Sequence, residues 1–160
     1  TRDEWHKGYI VDDGKRPLLD EGTKQAKQLI PLLAAFGPKR VTSSPWVRCF
    51  NTVQPYAKKM NLPIIERSQL SENGNKKGPK RTRNVVQDII DEGKSAVLCS
   101  HRPALPTILS ELAQIANKEL GKTIEAAADL KPAEFVVLHL AVNPDKKRRK
   151  VVAVERWGLL

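Results

Sequence analysis

Arg40-Val41-Thr42-Ser43-Ser44-Pro45-Trp46-Val47-Arg48 passes from a β-type run, through a hydroxyl-rich turn, into the start of an amphipathic helix. Val41 and Thr42 favour extended backbone, and Ser44-Pro45 closes the strand. Val47, Phe50, Val53, Tyr56 and Ala57 then share one helical face until Asn61 to Pro63 breaks the run. The same alternation continues outward. Upstream, Ala26, Leu29, Ile30, Leu33 and Ala34 recur at helical spacing after Asp20, with Pro31 predicted to kink the helix and Gly37-Pro38 to end it. Downstream, Ile64-Ile65 is a brief extended piece, and Ser68 to Pro79 reads as an exposed loop where a lid could sit. Val85, Val86, Ile89 and Ile90 mark a third helix ended by Gly93, and Ser95 to Ser100 reads as a buried strand. A fourth helix starts near Pro103 and Pro106, carries Leu105, Ile108, Leu109, Leu112 and Ile115, and has Gly121 near its end. Glu134 to Ala141 and Val151 to Glu155 pair as a hairpin across Asn143-Pro144, while Thr1 to Arg16 is a loop. Strands separated by amphipathic helices predict an α/β three-layer sandwich, a mostly parallel sheet with helices on both faces, in one domain over residues 1–160.

Composition excludes several classes. The apolar run Phe135 to Val142 is too short for a membrane span, which needs roughly 18 residues, and no signal-type segment opens the chain, so a cytoplasmic setting is expected. Cys49 and Cys99 lie far apart without metal-ligand spacing, so they read as small core or near-site residues. The net charge of +10 is concentrated: Lys76, Lys77, Lys80, Arg81 and Arg83 form one basic segment and Lys146 to Lys150 another. Without those ten the body is balanced at 18 basic and 18 acidic residues, which argues against a nucleic-acid partner and reads each segment as a solvated loop, the alternative being a phosphate-contacting role for one or both. Oligomeric state is left undetermined.

In open α/β sheets, ligands bind at the carboxyl ends of strands. Two such ends carry chemistry here, Thr42-Ser43-Ser44 and Cys99-Ser100-His101-Arg102. His101 stands between an apolar strand and a helix, whereas His139 lies inside a strand and reads as a packed or edge residue. Arg48 lies one turn into the helix that follows Ser44-Pro45, where its guanidinium can reach back to the strand ends and grip an anion.

Ser43-Ser44-Pro45-Trp46-Val47-Arg48-Cys49-Phe50-Asn51-Thr52 resembles the Ser-Ser-Pro-x-x-Arg-x-x-x-Thr segment of histidine phosphatases, the phosphoglycerate mutase-like superfamily. Arg16-Pro17-Leu18 with Gly22 and Gln25-Ala26 is similar to the family pattern before its first helix, and Cys99-Ser100-His101 to its second histidine segment. Pro103-Ala104-Leu105-Pro106 especially resembles the halves fused to Nudix (MutT-like) hydrolases and the short phosphohistidine phosphatases. The resemblance implies a phosphoglycerate mutase-like fold and a hydrolase that works through a phosphohistidine. Arg48 and His101 would hold and stabilise the phosphoryl group, and Glu72 would be the general acid. Ser44, Arg2 and Arg102 would add substrate contacts. It also implies that a central strand ending in the nucleophilic histidine precedes Thr1. His6, in a polar loop, is a poor substitute, so the chain is expected to be the C-terminal part of a longer protein. The implied substrate is a phosphorylated small molecule, a nucleoside polyphosphate if a Nudix domain is linked. No cofactor is expected in this domain, with Mg only for a linked Nudix domain. The alternative is a non-catalytic module that binds phosphate, a nucleotide or RNA.

Overall fold

The computed structural model describes residues 12–143 and 148–159, the side chains at 143 and 148 excepted. A one-turn 3-10 helix (Asp13–Lys15) and α1 (Asp20–Phe36) come first, then β1 (Arg40–Ser43), α2 (Val47–Lys59) and β2 (Ile64–Glu66). A second 3-10 turn (Ser68–Leu70), α3 (Glu72–Lys77) and α4 (Pro79–Glu92) lead to β3 (Ala96–Cys99). A third turn (Arg102–Ala104), α5 (Leu105–Ala113) and α6 (Lys118–Ala126) follow, and the hairpin β4 (Phe135–Asn143) and β5 (Arg148–Trp157) comes last.

Parallel strands need crossovers, and the helices supply them. β1 is the middle strand of a parallel sheet ordered β2-β1-β3, with Ser43 level with Glu66 on one side and Cys99 on the other, so the strands end together. On one face Val41, Val97 and Cys99 pack with Ile30 and Leu33 of α1 and Val53, Tyr56 and Ala57 of α2. On the other face Leu98 packs with Val85, Val86 and Ile90 of α4 and Ile108 of α5. Helices thus cover both faces, and the three-layer α/β reading holds.

The hairpin is a separate two-stranded antiparallel sheet with a bulge between His139 and Leu140. Val154, Val136 and Leu138 join Leu109 of α5 and Ile124 of α6 in a third apolar cluster, and Phe36 meets Phe135 and Trp157 edge-on at 6.3 and 6.0 Å. Among the described residues no strand lies along the outer edge of β3. That is why β3, expected to be buried, is half-buried at every position, whereas β1 is buried throughout.

Three local expectations are corrected. Ser68 to Pro79 is a packed turn and helix rather than an exposed loop: Ser71 caps α3 by accepting the Gly74 N–H, and Leu70, Ser71 and Asn75 are buried. A Cβ on Gly74 would lie 2.0 Å from the Ser68 carbonyl oxygen, so glycine is what lets the two turns approach. The fourth helix is two, because Asn117 accepts the Leu120 N–H and starts α6, placing Gly121 inside that helix. The basic segments are not wholly solvated loops either: Lys80, Arg81 and Arg83 belong to α4, and Arg149 donates to the Ile90 and Asp91 carbonyls at the α4 C-terminus. α1 is continuous through Pro31. Among the described residues no helix is long and apolar enough to cross a membrane.

Candidate active site

The ends of β1 and β3 are joined directly, Ser44 N–H donating to the Cys99 carbonyl at 3.0 Å. Each end then hands a polar side chain to the same place. Ser44 is fully buried, so its hydroxyl serves a neighbour rather than facing solvent: it accepts the Trp46 N–H at 3.3 Å and lies 2.9 Å from His101 Nε2. Nδ1 faces the Glu72 Oε1 acceptor at 3.5 Å, which favours the tautomer with its proton on Nδ1 and leaves Nε2 to accept from the Ser44 hydroxyl. Burial, then the positive charges of Arg48 and Arg16, push the His101 pKa down to about 4 against the opposing pull of Asp13. The ring is therefore neutral at pH 7, and its Nδ1–H is a donor aimed at the cleft.

Arg48 leaves α2 one turn in, and its guanidinium folds back over the Trp46 ring at 4.6 Å from the centroid. Nη2 donates to Glu72 Oε1 at 3.0 Å and to Asp13 Oδ2 at 2.9 Å, and Nη1 donates to the Asp13 carbonyl at 2.7 Å. Glu72 reaches this spot because its segment is tied to the strand ends: Ser100 Oγ donates to the Leu70 carbonyl at 2.6 Å, and Thr82 Oγ1 to the Gln69 carbonyl at 2.8 Å. One carboxylate oxygen, Glu72 Oε1, is thus within reach of both Arg48 and His101. The two groups converge on a single anionic atom.

Asp13 and Trp46 carry no local signal strong enough to single them out, and Arg16 and Cys49 join them. Asp13 bridges two guanidinium groups, accepting from Arg16 Nε at 2.6 Å as well as from Arg48. Burial raises the Asp13 pKa, but the Arg16 hydrogen bond and the charges of both arginines outweigh it, so the carboxyl sits below its usual range. Trp46 meets His101 edge-to-face at 4.7 Å. Cys49 donates to the Ser100 carbonyl at 3.2 Å and lies 3.4 Å from His101 Nε2. Its contact with the Cys99 thiol and its burial push its pKa up, so it is an inert neutral neighbour.

The other expected residues fall elsewhere. Arg102 is exposed at the edge of the cleft, with no side-chain hydrogen bond among the described residues. Arg2 and His6 lie outside the described residues. His139 faces Glu155 at 2.5 Å across the hairpin, far along the chain and in another sheet. No group of three or more metal-ligating side chains occurs among the described residues.

Residues 2–79, which hold the Ser-Ser-Pro-x-x-Arg segment and Glu72, match the model of the Histidine phosphatase superfamily (branch 1). That match spans just under half of the chain and is a likeness to that family. It is 28% identical over 144 residues to the 8-oxo-(d)GTP phosphatase of Mycolicibacterium smegmatis, covering 87% of this chain and 45% of that protein. It is 39% identical over 54 residues to the transcription factor tau 55 kDa subunit of Saccharomyces cerevisiae, covering 32% of this chain and 12% of that protein. The chain therefore spans less than half the length of these curated relatives. Its fold matches that of the protein histidine phosphatase SixA complexed with tungstate, with a TM-score of 0.57, 19% identity, and coverage of 92% of this chain and 88% of that one. The likeness of fold covers both strand ends of the cleft, since it takes in 92% of the chain.

Proposed function

We propose that this chain supplies the phosphoryl-holding part of a histidine phosphatase that hydrolyses a phosphorylated small molecule, a nucleoside polyphosphate. The observation that carries the reading is the shared contact of Arg48 Nη2 and His101 Nδ1 with one carboxylate oxygen at 3.0 and 3.5 Å. A carboxylate oxygen there stands in for an equatorial phosphoryl oxygen, which needs the same two donors. The nucleophile is the histidine of a further strand, upstream of Thr1, that pairs with the outer edge of β3. Its nitrogen attacks phosphorus, a P–N bond forms, and the bond to the leaving oxygen breaks. Glu72 then protonates that oxygen. Water next attacks phosphorus and gives a proton to the Glu72 carboxylate, the P–N bond breaks, and free histidine, inorganic phosphate and protonated Glu72 result.

The nucleotide substrate is supported by the M. smegmatis relative, whose name describes an 8-oxo-(d)GTP phosphatase. In this reading the domain uses its own cations and works in the cytoplasm, and Mg belongs to a linked Nudix domain if one is present. A second reading, a phosphate- or nucleotide-binding module without turnover, is favoured by the yeast relative, whose name describes a transcription factor subunit, and by the two carboxylates that fill the Arg48 fork.

Vanadate binding by this chain, followed by calorimetry, tests the site without needing turnover. Arg48→Ala should weaken it by roughly 30-fold or more, because a charge-assisted fork is worth about 2 kcal/mol or more. His101→Ala should weaken it less. Binding that both variants leave intact sinks the assignment. Nucleoside triphosphate hydrolysis, assayed in the polypeptide that supplies the nucleophile strand, separates the enzyme from the binding module.

A further inference from the structure

Trp46 is not one of the fixed residues of the Ser-Ser-Pro-x-x-Arg pattern, yet its indole lies against both Arg48 and His101. Arg48 Cζ lies 4.6 Å from its ring centroid. The His101 ring meets it at 4.7 Å with planes 69° apart. The 3-10 turn that carries Asp13 and Arg16 presses on its pyrrole edge: a Cβ on Gly14 would lie 3.3 Å from Trp46 Nε1 and 3.4 Å from Cδ1. Its backbone N–H binds Ser44 Oγ, the same hydroxyl that contacts His101. Trp46 also precedes the first residue of α2, so the helix fixes the ring's position.

We infer that Trp46 is the positioning residue of this site, one aromatic surface that sets the guanidinium of Arg48 and the imidazole of His101 at the spacing one phosphoryl oxygen requires. Two physical effects make this more than packing. A cation over an indole face is held in a preferred plane, which fixes where the Arg48 donors point. An aromatic ring edge-on to His101 excludes water from that side, while Ser44 and Cys49 close the other. His101 is faced by Arg48, Arg16, Asp13, Glu72 and Cys49, so removal of one uncharged ring changes its hydration without altering any of those charges. The inference rests on the phosphoryl site proposed above, and its test is chosen to fail separately from that reading.

The measurement is an NMR pH titration of the histidine Cε1–H signals of the whole chain, run beside calorimetric binding of inorganic phosphate. The variants are Trp46→Leu, Trp46→Met and the conservative Trp46→Phe. In Trp46→Leu and Trp46→Met the His101 midpoint should rise from about 4 toward the free-histidine value of about 6.5, and phosphate affinity should fall about tenfold, the loss of a desolvated cation–π contact. Trp46→Phe should keep the midpoint low and restore most of the affinity. A folded Trp46→Leu or Trp46→Met protein with both quantities unchanged overturns the inference. So does an affinity loss with the His101 midpoint unmoved and no rescue by phenylalanine, which would mark Trp46 as structural only. If the unmutated chain binds no phosphate, the phosphoryl reading fails, while the His101 titration still decides the role of Trp46.

Discussion

β1 and β3 are equal in length, parallel, and end at the same cleft, yet one is buried at every position and the other at none. Their sequences do not account for this, since Ala-Val-Leu-Cys is more apolar than Arg-Val-Thr-Ser. β1 has a strand on each side and β3 has one. The side chain that follows β3 nevertheless escapes the exposure of its strand: His101 is 6% exposed, because Ser44, Trp46 and Cys49, all brought by β1 and α2, cover it. The cleft is therefore built from the β1 side and merely borrows its histidine from β3.

The largest expected effect tests that dependence. His101 has its folded pKa depressed to about 4 against about 6.5 unfolded. Between those values the unfolded chain binds a proton that the folded chain refuses, so stability rises with pH through that window. Full stability is present above pH 6.5 and is lost as the pH falls to 4, by about 3 kcal/mol in total. Guanidinium unfolding at pH 7, 5.5 and 4 should show this slope, and His101→Gln should flatten it. A slope unchanged by that substitution means that the openness of β3 does reach the imidazole.

The middle effect compares the strands directly. Val41 on β1 is fully buried, and Val97, its register partner on β3, is half-buried in the same cluster. Val41→Ala should cost about 2 kcal/mol and Val97→Ala about 1 kcal/mol, since the loss scales with the apolar area removed and the cavity left. Chemical denaturation midpoints measure both. Equal losses would mean that something covers the β3 edge in solution. A longer polypeptide that supplies the strand proposed above should bring the Val97→Ala loss up to that of Val41→Ala.

Much of this was legible from the chain alone, and the failures have a common cause. β1, α2, β3 and the hairpin follow from periodicity and turn residues. Arg48 and His101 follow from the rule that chemistry gathers at strand ends, and the structure brings Glu72 to both of them. Ser68 to Pro79 reads as a loop because its two glycines and few apolar residues outweigh a real helix signature, Ser71 before Glu72 with Lys76 and Lys77 at the far end. α5 and α6 read as one helix because apolar periodicity runs past the α5 end at Ala113 to Ile115, just ahead of the Asn117 cap. Asp13 and Trp46 go unread for another reason. Arg48 lies 35 residues from Asp13 and His101 lies 55 from Trp46, and pairings at that distance leave no trace in local pattern. The half-buried state of β3 belongs with these, for apolarity in a sequence records what a strand can bury and not whether a neighbour is there.

The smallest effect compares how the two strands are entered. α1 ends at Gly37 before β1, and α4 ends at Gly93 before β3, both in the left-handed conformation at φ values of 58° and 65°. An alanine at either site carries the left-handed penalty, about 1 kcal/mol. At Gly37 a Cβ would meet nothing within 4 Å, so the cost should stop there. At Gly93 the Cβ would lie 1.9 Å from an Arg149 guanidinium nitrogen, which must move and give up the α4 carbonyls it caps. Gly93→Ala should therefore be worse than Gly37→Ala by about 1 kcal/mol, the value of one or two helix-end hydrogen bonds. In an Arg149→Ala background that excess should vanish, because the group being displaced is already gone. An excess that persists there would mean that β3 is held at its start by backbone strain alone, and that the basic strand β5 contributes nothing to the half of the sheet carrying His101.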